Sequence, residues 1–160
     1  MANLQLTQAP VAATGMLIRK PIAEVFEAIV NPELTTRFWF TKSSGRLEAG
    51  AQVTWEWEMY GASALVTVTA FEPRRRIAIE WPGYSGLTAV EWRFLPHEGG
   101  TFVSVTESGF VGDGDSLLRQ TADSTQGFSL MLAGMKAYLE HGVELNLVAD
   151  RYPAGLDAAH

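Results

Sequence analysis

Residues 52–60 read Gln-Val-Thr-Trp-Glu-Trp-Glu-Met-Tyr, a stretch in which apolar and polar side chains alternate. Successive side chains of a β-strand point to opposite faces, so the alternation places every second residue on one face. The apolar face consists of Val53, Trp55, Trp57 and Met59. This pattern predicts a strand with one buried face, which ends at a turn at Gly61.

Similar apolar segments follow, separated by short turns rich in Gly and Pro. The predicted strands are residues 65–71, 77–81, 88–94 and 101–110. A parallel connection needs a crossover of a dozen or more residues, so strands joined this closely must run antiparallel. We therefore predict an antiparallel meander.

Helical patterns flank the predicted strands on both sides. After a short strand at 16–19, Pro21 favours the first turn of a helix, and Asn31-Pro32 ends that helix and begins another short one. A long helix is predicted from about Leu117, because apolar residues then recur at spacings of three and four. This stripe consists of Phe128, Leu132, Met135, Leu139, Val143 and Leu147. The order of elements predicts an α+β fold.

The composition is typical of a globular protein. Of the 160 residues 47% are apolar and 19% are charged, which favours a folded core over disorder. We expect a single domain over residues 1–160. The net charge of -6 and the pI near 5.0 argue against a nucleic-acid partner, because phosphates would repel the chain.

The sequence also gives an expectation for the cellular compartment. It contains no Cys, which excludes disulfides and thiolate sites and suits a reducing compartment. Residues 1–15 lack the basic start and the apolar run of a secretion signal. No stretch reaches the roughly 18 consecutive apolar residues of a membrane span. We expect a cytoplasmic protein that does not insert into membranes.

The C-terminal part carries a family resemblance. Residues 127–142 read Gly-Phe-Ser-Leu-Met-Leu-Ala-Gly-Met-Lys-Ala-Tyr-Leu-Glu-His-Gly and are followed by Asn146-Leu147. Earlier markers are Pro-Ile-Ala-Glu-Val-Phe at 21–26, the region of Trp39, Gly50, and Phe-Glu-Pro-Arg at 71–74. In this order they resemble the START-like and birch-pollen-allergen-like (SRPBCC) helix-grip superfamily, in its branch of heat-shock-protein-90 ATPase activator homologues.

The resemblance covers about residues 14–153 and implies a specific architecture. We expect a curved antiparallel sheet of about six strands wrapped around the long C-terminal helix, with two short helices after the first strand. Members of the superfamily share a cavity between the sheet and that helix. The candidate ligand-binding residues are Trp39, Trp55, Trp57, Phe71, Trp81, Trp92, Phe94, Phe128, Met131 and Met135, and Phe102 is a further candidate. Ordinary core packing is the alternative interpretation of each.

Glu107 is the polar residue of greatest interest. If Val103 and Val105 face the concave side of the sheet, strand alternation places the Glu107 carboxylate there too. Burial in an apolar cavity would raise the pKa of that carboxyl towards the range useful for acid–base chemistry. The alternative is a strand-end residue that a bulge at Ser108-Gly109 returns to solvent. Glu107 and Tyr138 are the catalytic candidates.

No metal site or cofactor is predicted. His97 lies in a predicted turn, His141 on the flank of the long helix, and His160 at the chain end, so the histidines do not form a shared site. The sequence also lacks the spacing of a nucleotide-binding loop, a nucleophile elbow or a zinc-protease helix.

Three functions therefore stay open. The first is binding or carriage of a hydrophobic small molecule, lipid-like or aromatic and polyketide-like, in the cavity. The second is a cofactor-independent enzyme of the cyclase or hydratase kind, in which a buried Glu moves a proton. The third is an interaction domain that modulates a chaperone, as the branch name suggests. A homodimer is also left open.

Overall fold

The alternating segments form a single antiparallel sheet in the computed structural model, which describes residues 4–156. Strands β1 to β7 are Ala12–Ile18, Lys42–Ser43, Gln52–Trp57, Ala62–Glu72, Arg76–Pro82, Leu87–His97 and Gly100–Ser108. They lie in the order β1-β7-β6-β5-β4-β3-β2. The predicted meander is confirmed. The sheet has seven strands rather than about six, because residues 42–43 add a short strand at one edge.

Within residues 4–156, four α-helices complete the fold. Helices α1 to α4 are Ile22–Val30, Pro32–Thr35, Gly114–His141 and Leu147–Arg151. Asp113 caps α3, since its side chain accepts a hydrogen bond of 2.8 Å from the Ser116 N–H. Asn31 ends α1 and caps α2 through Glu33 N–H, as the Asn-Pro sequence predicts. The expected α+β helix-grip architecture is confirmed.

The register of the sheet decides which side chains reach the concave face. Trp92 pairs with Val105, and Val90 pairs with Glu107, so these side chains face α3 together. Trp81 pairs with Thr88 on the neighbouring strands and lies on the same face. Because side chains alternate along every strand, one end of the concave face carries Trp81, Thr88 and Glu107 side by side.

Helix α3 lies along β1 and closes the concave face. Its Ser129 hydroxyl is 2.8 Å from the Thr14 hydroxyl, and its Lys136 ammonium donates to the Leu17 carbonyl at 2.8 Å. Phe128, Met131, Leu132 and Met135 are buried on its inner side. The main core therefore lies between the inner face of α3 and the concave face of the sheet.

Two sequence expectations about element ends are wrong. Strand β3 ends at Trp57, because a 3-10 turn at Glu58–Tyr60 follows, and Met59 is exposed instead of facing the core. Helix α3 ends at His141 because the next residue, Gly142, has a left-handed φ of 66°. The apolar stripe therefore does not continue through Val143. Leu147 instead begins α4.

The prediction of one domain over 1–160 extends beyond the described residues, and His160 lies outside them. Within residues 4–156, no helix combines the length and apolar character needed to cross a membrane.

Candidate ligand-binding cavity

All five tryptophans lie in one cluster, with Trp39 at its centre. The Trp39 ring centroid is 5.0 Å from that of Trp55 and 6.1 Å from that of Trp81. Trp57, Trp92, Phe40 and Phe128 surround the same ring at 5.6 to 5.9 Å. The segment after α2 thus places the Trp39 ring between the sheet and α3, where this ring fills the inner part of the space that the fold encloses.

A cavity of about 390 Å³ remains at the end of this cluster. Its walls come from β5, the loop after β5, the end of β7 and the first half of α3. The lining residues are Trp39, Trp81, Pro82, Gly83, Tyr84, Glu107, Phe110, Asp123, Ser124, Gly127 and Phe128. A second compartment of about 400 Å³ shares Trp39, Trp81 and Gly127 with the first and extends towards α4. The two volumes form one groove that opens to the surface.

Glu107 lies on the inner wall of this cavity and is only 5% exposed. The Trp81 indole N–H donates to its Oε2 at 2.9 Å, and the Thr88 hydroxyl donates to the same oxygen at 2.5 Å. The Ser124 hydroxyl donates to Oε1. Three separate elements, β5, β6 and α3, therefore supply donors to one carboxylate. An ionised carboxylate only accepts hydrogen bonds, and each of these three groups can donate one.

The mouth of the groove carries a polar cluster centred on Asp123 of α3. The Tyr84 hydroxyl, from the loop after β5, donates to one carboxylate oxygen, and the Tyr152 hydroxyl donates to the other at 3.3 Å. Arg151 donates to Gln126 at 2.9 Å, and its guanidinium lies 4.4 Å from the centroid of the Tyr152 ring. Asp123 thus connects the loop after β5 to the segment that follows α4.

The tyrosines at the mouth stay protonated well into the alkaline range. Burial of the Tyr84 hydroxyl away from water, together with the adjacent Asp123 carboxylate, raises the pKa of Tyr84. The Tyr84 side chain is 68% exposed as a whole, so the effect is local to the hydroxyl. Desolvation raises the pKa of Tyr60 and Tyr152 as well. Each hydroxyl is therefore a hydrogen-bond donor at neutral pH.

The candidate ligand-binding residues fall into three groups. Trp39, Trp57, Trp81 and Phe128 line the groove. The deeper core contains Trp55, Trp92, Met131 and Met135, each at most 1% exposed. Phe71 and Phe94 pack on Phe26 of α1, at ring-centroid distances of 5.6 and 5.1 Å. Phe102 points away from the cavity and is 39% exposed.

The structure does not bring the two catalytic candidates together. Ser124, the α3 residue that contacts Glu107, precedes Tyr138 by fourteen positions, which is a rise of about 21 Å along a helix. Tyr138 instead packs near Phe38. Within residues 4–156, no three His, Asp or Glu side chains are grouped to hold a metal ion.

Of the residues that contact Glu107, sequence reasoning finds Trp81 but misses Thr88 and Ser124. It places Thr88 in a strand without a functional role, and it does not single out Ser124, or Asp123 and Tyr84 at the mouth. The only local signal was strand alternation, which places Thr88 on the same face as Trp92. The contacts of Ser124 and Tyr84 depend on how α3 docks on the sheet, and no local pattern encodes that.

A seven-stranded antiparallel sheet around a long C-terminal helix, with a groove between them, defines a protein of the helix-grip class. The sequence narrows this class further. The chain belongs to the family described as activator of Hsp90 ATPase homolog 1-like protein, which matches residues 19–140. The resemblance stated from the sequence is thereby confirmed. A comparison with curated proteins gives no match.

Solved structures with the same fold include three informative ones. Protein SSP2350 from Staphylococcus saprophyticus is 34% identical, with a TM-score of 0.74 over 85% of this chain and 96% of that chain. DynU16, of the dynemicin biosynthetic locus, is 21% identical, with a TM-score of 0.73 over 84% and 48%. The Aha1 dimer from Colwellia psychrerythraea is 19% identical, with a TM-score of 0.70 over 83% and 98%. The latter two support the fold alone.

Proposed function

We propose that this protein binds or carries a hydrophobic small molecule in the groove between the sheet and α3. The observation that carries the proposal is the cavity of about 390 Å³ beside Trp39, Trp81 and Phe128. Its volume lies within the roughly 300–1,000 Å³ range of small-molecule sites, and such sites combine aromatic walls with a few polar groups. Glu107 and Ser124 would be the polar groups that orient the ligand.

The shape of the enclosed space favours a compact, flat ligand over a long-chain lipid. Trp55 and Trp92 are fully packed between the sheet and α3, and Met131 is 0% exposed on the inner side of the helix. A long acyl chain would have to displace these side chains, and the interior offers little free volume for that. An aromatic or polyketide-like molecule would instead lie in the groove beside Trp81 and Phe128, without displacing the core.

A thermal-shift screen with native mass spectrometry tests this proposal. Fatty acids, sterols, flavonoids and polyketide-like aromatics are compared, because specific binding raises the melting temperature in a dose-dependent way. Gly127 lines the groove, and a side chain there would enter open space. Gly127→Leu should abolish the ligand-induced shift, whereas Gly127→Ala should keep most of it. No stabilising compound, or an equal shift in Gly127→Leu, would refute binding in this groove.

Proton transfer by Glu107 is a second candidate function. A buried carboxylate with Ser124 and Thr88 hydroxyls at the wall of a cavity has the groups needed for general acid–base catalysis. Any stabilising compound should therefore be incubated with the protein and analysed for conversion by mass spectrometry. Under this proposal, Glu107→Gln retains binding and loses turnover. Unchanged compound with the native protein would contradict it.

The family description also motivates a proposal about a protein partner. An activator of the Hsp90 ATPase would raise the rate of ATP hydrolysis by the chaperone, which a steady-state ATPase assay measures with and without this protein. The Aha1 protein from Colwellia psychrerythraea, which has the same fold, is a dimer, and this motivates the proposal of a homodimer here; light scattering measures the mass in solution. The lack of Cys supports a cytoplasmic location.

A further inference from the structure

The ionisable side chains on the wall of the main cavity all have the same sign. Glu107 and Asp123 contribute carboxylates, and the lining residues include no Lys, Arg or His. Two adjoining compartments add Arg151 and, in the outer one, Arg119. The Arg151 guanidinium lies against the Tyr152 ring and donates to Gln126, and Arg119 does not line the main cavity. A ligand in the main cavity therefore meets negative charge without a compensating cation.

The charge of Glu107 is the more important of the two because it is buried. Within residues 4–156 its hydrogen-bond partners are all neutral groups, and no Lys, Arg or His side chain forms an ion pair with it. A buried charge without a partner of opposite sign is costly. A cationic ligand would lower that cost, and an anionic ligand would increase it.

The carboxylate also has acceptor capacity left. Its two oxygens offer about four lone-pair positions. Trp81 and Thr88 donate to Oε2, and Ser124 is the one protein donor to Oε1 among the described residues. One position on Oε1 is thus available to a donor on the ligand.

The aromatic walls favour the same kind of ligand. Trp39, Trp81 and Phe128 line the cavity, and the faces of Trp and Phe rings attract cations. Trp81 and Phe128 lie at 30° to each other with centroids 6.0 Å apart, which gives neighbouring flat surfaces for a planar molecule.

Building on the proposed function, we propose that the ligand is a planar aromatic molecule with a positively charged, hydrogen-bond-donating nitrogen group, which binds at Glu107. Its rings lie against Trp81 and Phe128, and its nitrogen donates to Oε1. Fatty acids and other carboxylates are excluded from the cavity by the same charges.

The test uses three probes of the same shape and different charge. These are 2-naphthylmethylammonium, 2-naphthylmethanol and 2-naphthoate, with dissociation constants measured by calorimetry at pH 7 and about 0.15 M salt, which screens distant charges. A charge-assisted hydrogen bond in a cavity predicts at least about tenfold tighter binding of the ammonium than of the alcohol. The carboxylate should bind most weakly.

Two variants test which carboxylate causes the tighter binding of the ammonium probe. Glu107→Gln should reduce the ratio of the affinities for the ammonium and the alcohol by about tenfold. Asp123→Asn should reduce this ratio less, because Asp123 is exposed. Glu80→Gln is the matched control, since it removes an exposed carboxylate from the opposite face of β5. It should leave the advantage unchanged.

Each outcome is decisive. Equal binding of the three probes, or tighter binding of the carboxylate, overturns the inference about charge and leaves the proposed function intact. An ammonium preference that survives Glu107→Gln also overturns it. If neither these probes nor the wider panel of apolar compounds binds, the proposed function fails together with the inference.

Discussion

Two glycines of α3 give a sharp test of the open space beside the helix. Gly127 lines the groove, and a Cβ atom at this position would meet no heavy atom within 4 Å. Gly134 lies two turns further along the same helix. A Cβ atom there would lie 3.1 Å from the Phe38 Cβ and 3.3 Å from the Phe38 carbonyl oxygen.

These distances predict opposite effects of the same substitution. Gly in a helix interior is less stable than Ala by about 0.5–1 kcal/mol, so Gly127→Ala should raise the free energy of unfolding by this amount. For a chain of this size, each 1 kcal/mol corresponds to about 2–4 °C in melting temperature. Gly134→Ala brings the same helix gain, but the added methyl requires Phe38 to move by a few tenths of an ångström. Overpacking of this kind costs about 1–3 kcal/mol, so Gly134→Ala should be less stable than Gly127→Ala by about this amount.

Urea denaturation and thermal unfolding of the ligand-free protein measure both effects. The expected order of stability is Gly127→Ala, then the native sequence, then Gly134→Ala. A destabilised Gly127→Ala would refute the open space beside Gly127, and with it the cavity. Equal stability of Gly134→Ala and Gly127→Ala would refute the close approach of α3 to Phe38.

Three further predictions concern the core, the buried carboxylate and pH. Trp39→Ala should lower the free energy of unfolding by about 3–5 kcal/mol in urea titrations; a loss below 1 kcal/mol would contradict its central position. Thr88→Val removes a buried donor and should cost about 1–3 kcal/mol, clearly more than Thr106→Val on the outer face. The hydrogen bond from Arg46 lowers the pKa of Glu27 below its value in the unfolded chain. The ion pair therefore stabilises the folded protein, by less than about 1 kcal/mol, above the unfolded pKa of about 4.3, and this stabilisation is lost as the pH falls below the folded pKa. The stabilities of native protein and Glu27→Gln should therefore converge in acid, and divergence would contradict this.

Alternation and turn residues were sufficient to predict the sheet. Trp55 and Trp92 are buried on the concave face, as the period-two pattern requires, and the short turns make the successive pairs from β3 to β7 antiparallel. The ends of elements were less predictable. Strand β3 gives way after Trp57 to the 3-10 turn Glu58–Tyr60, and α3 stops before the left-handed Gly142, so each element ends before the apolar pattern stops.

The candidate site was predictable only in part. Alternation with Val103 and Val105 places Glu107 on the concave face, where it is found. The same rule cannot distinguish a tryptophan that fills the core, such as Trp92, from one that lines a cavity, such as Trp81. That difference depends on how far α3 and the segment after α2 cover each strand, which is a property of the tertiary packing.

Indole N–H signals in NMR spectra of ¹⁵N-labelled protein test the central claim most directly, because each of the five tryptophans reports its own position. The probe is 2-naphthylmethanol, which carries aromatic rings without charge. Binding in the groove predicts saturable shifts that are largest for Trp81 and Trp39 and smallest for Trp55 in the deeper core. Unchanged Trp81 and Trp39 signals at saturating probe, or shifts largest at Trp55, would contradict a ligand-binding groove between the sheet and α3.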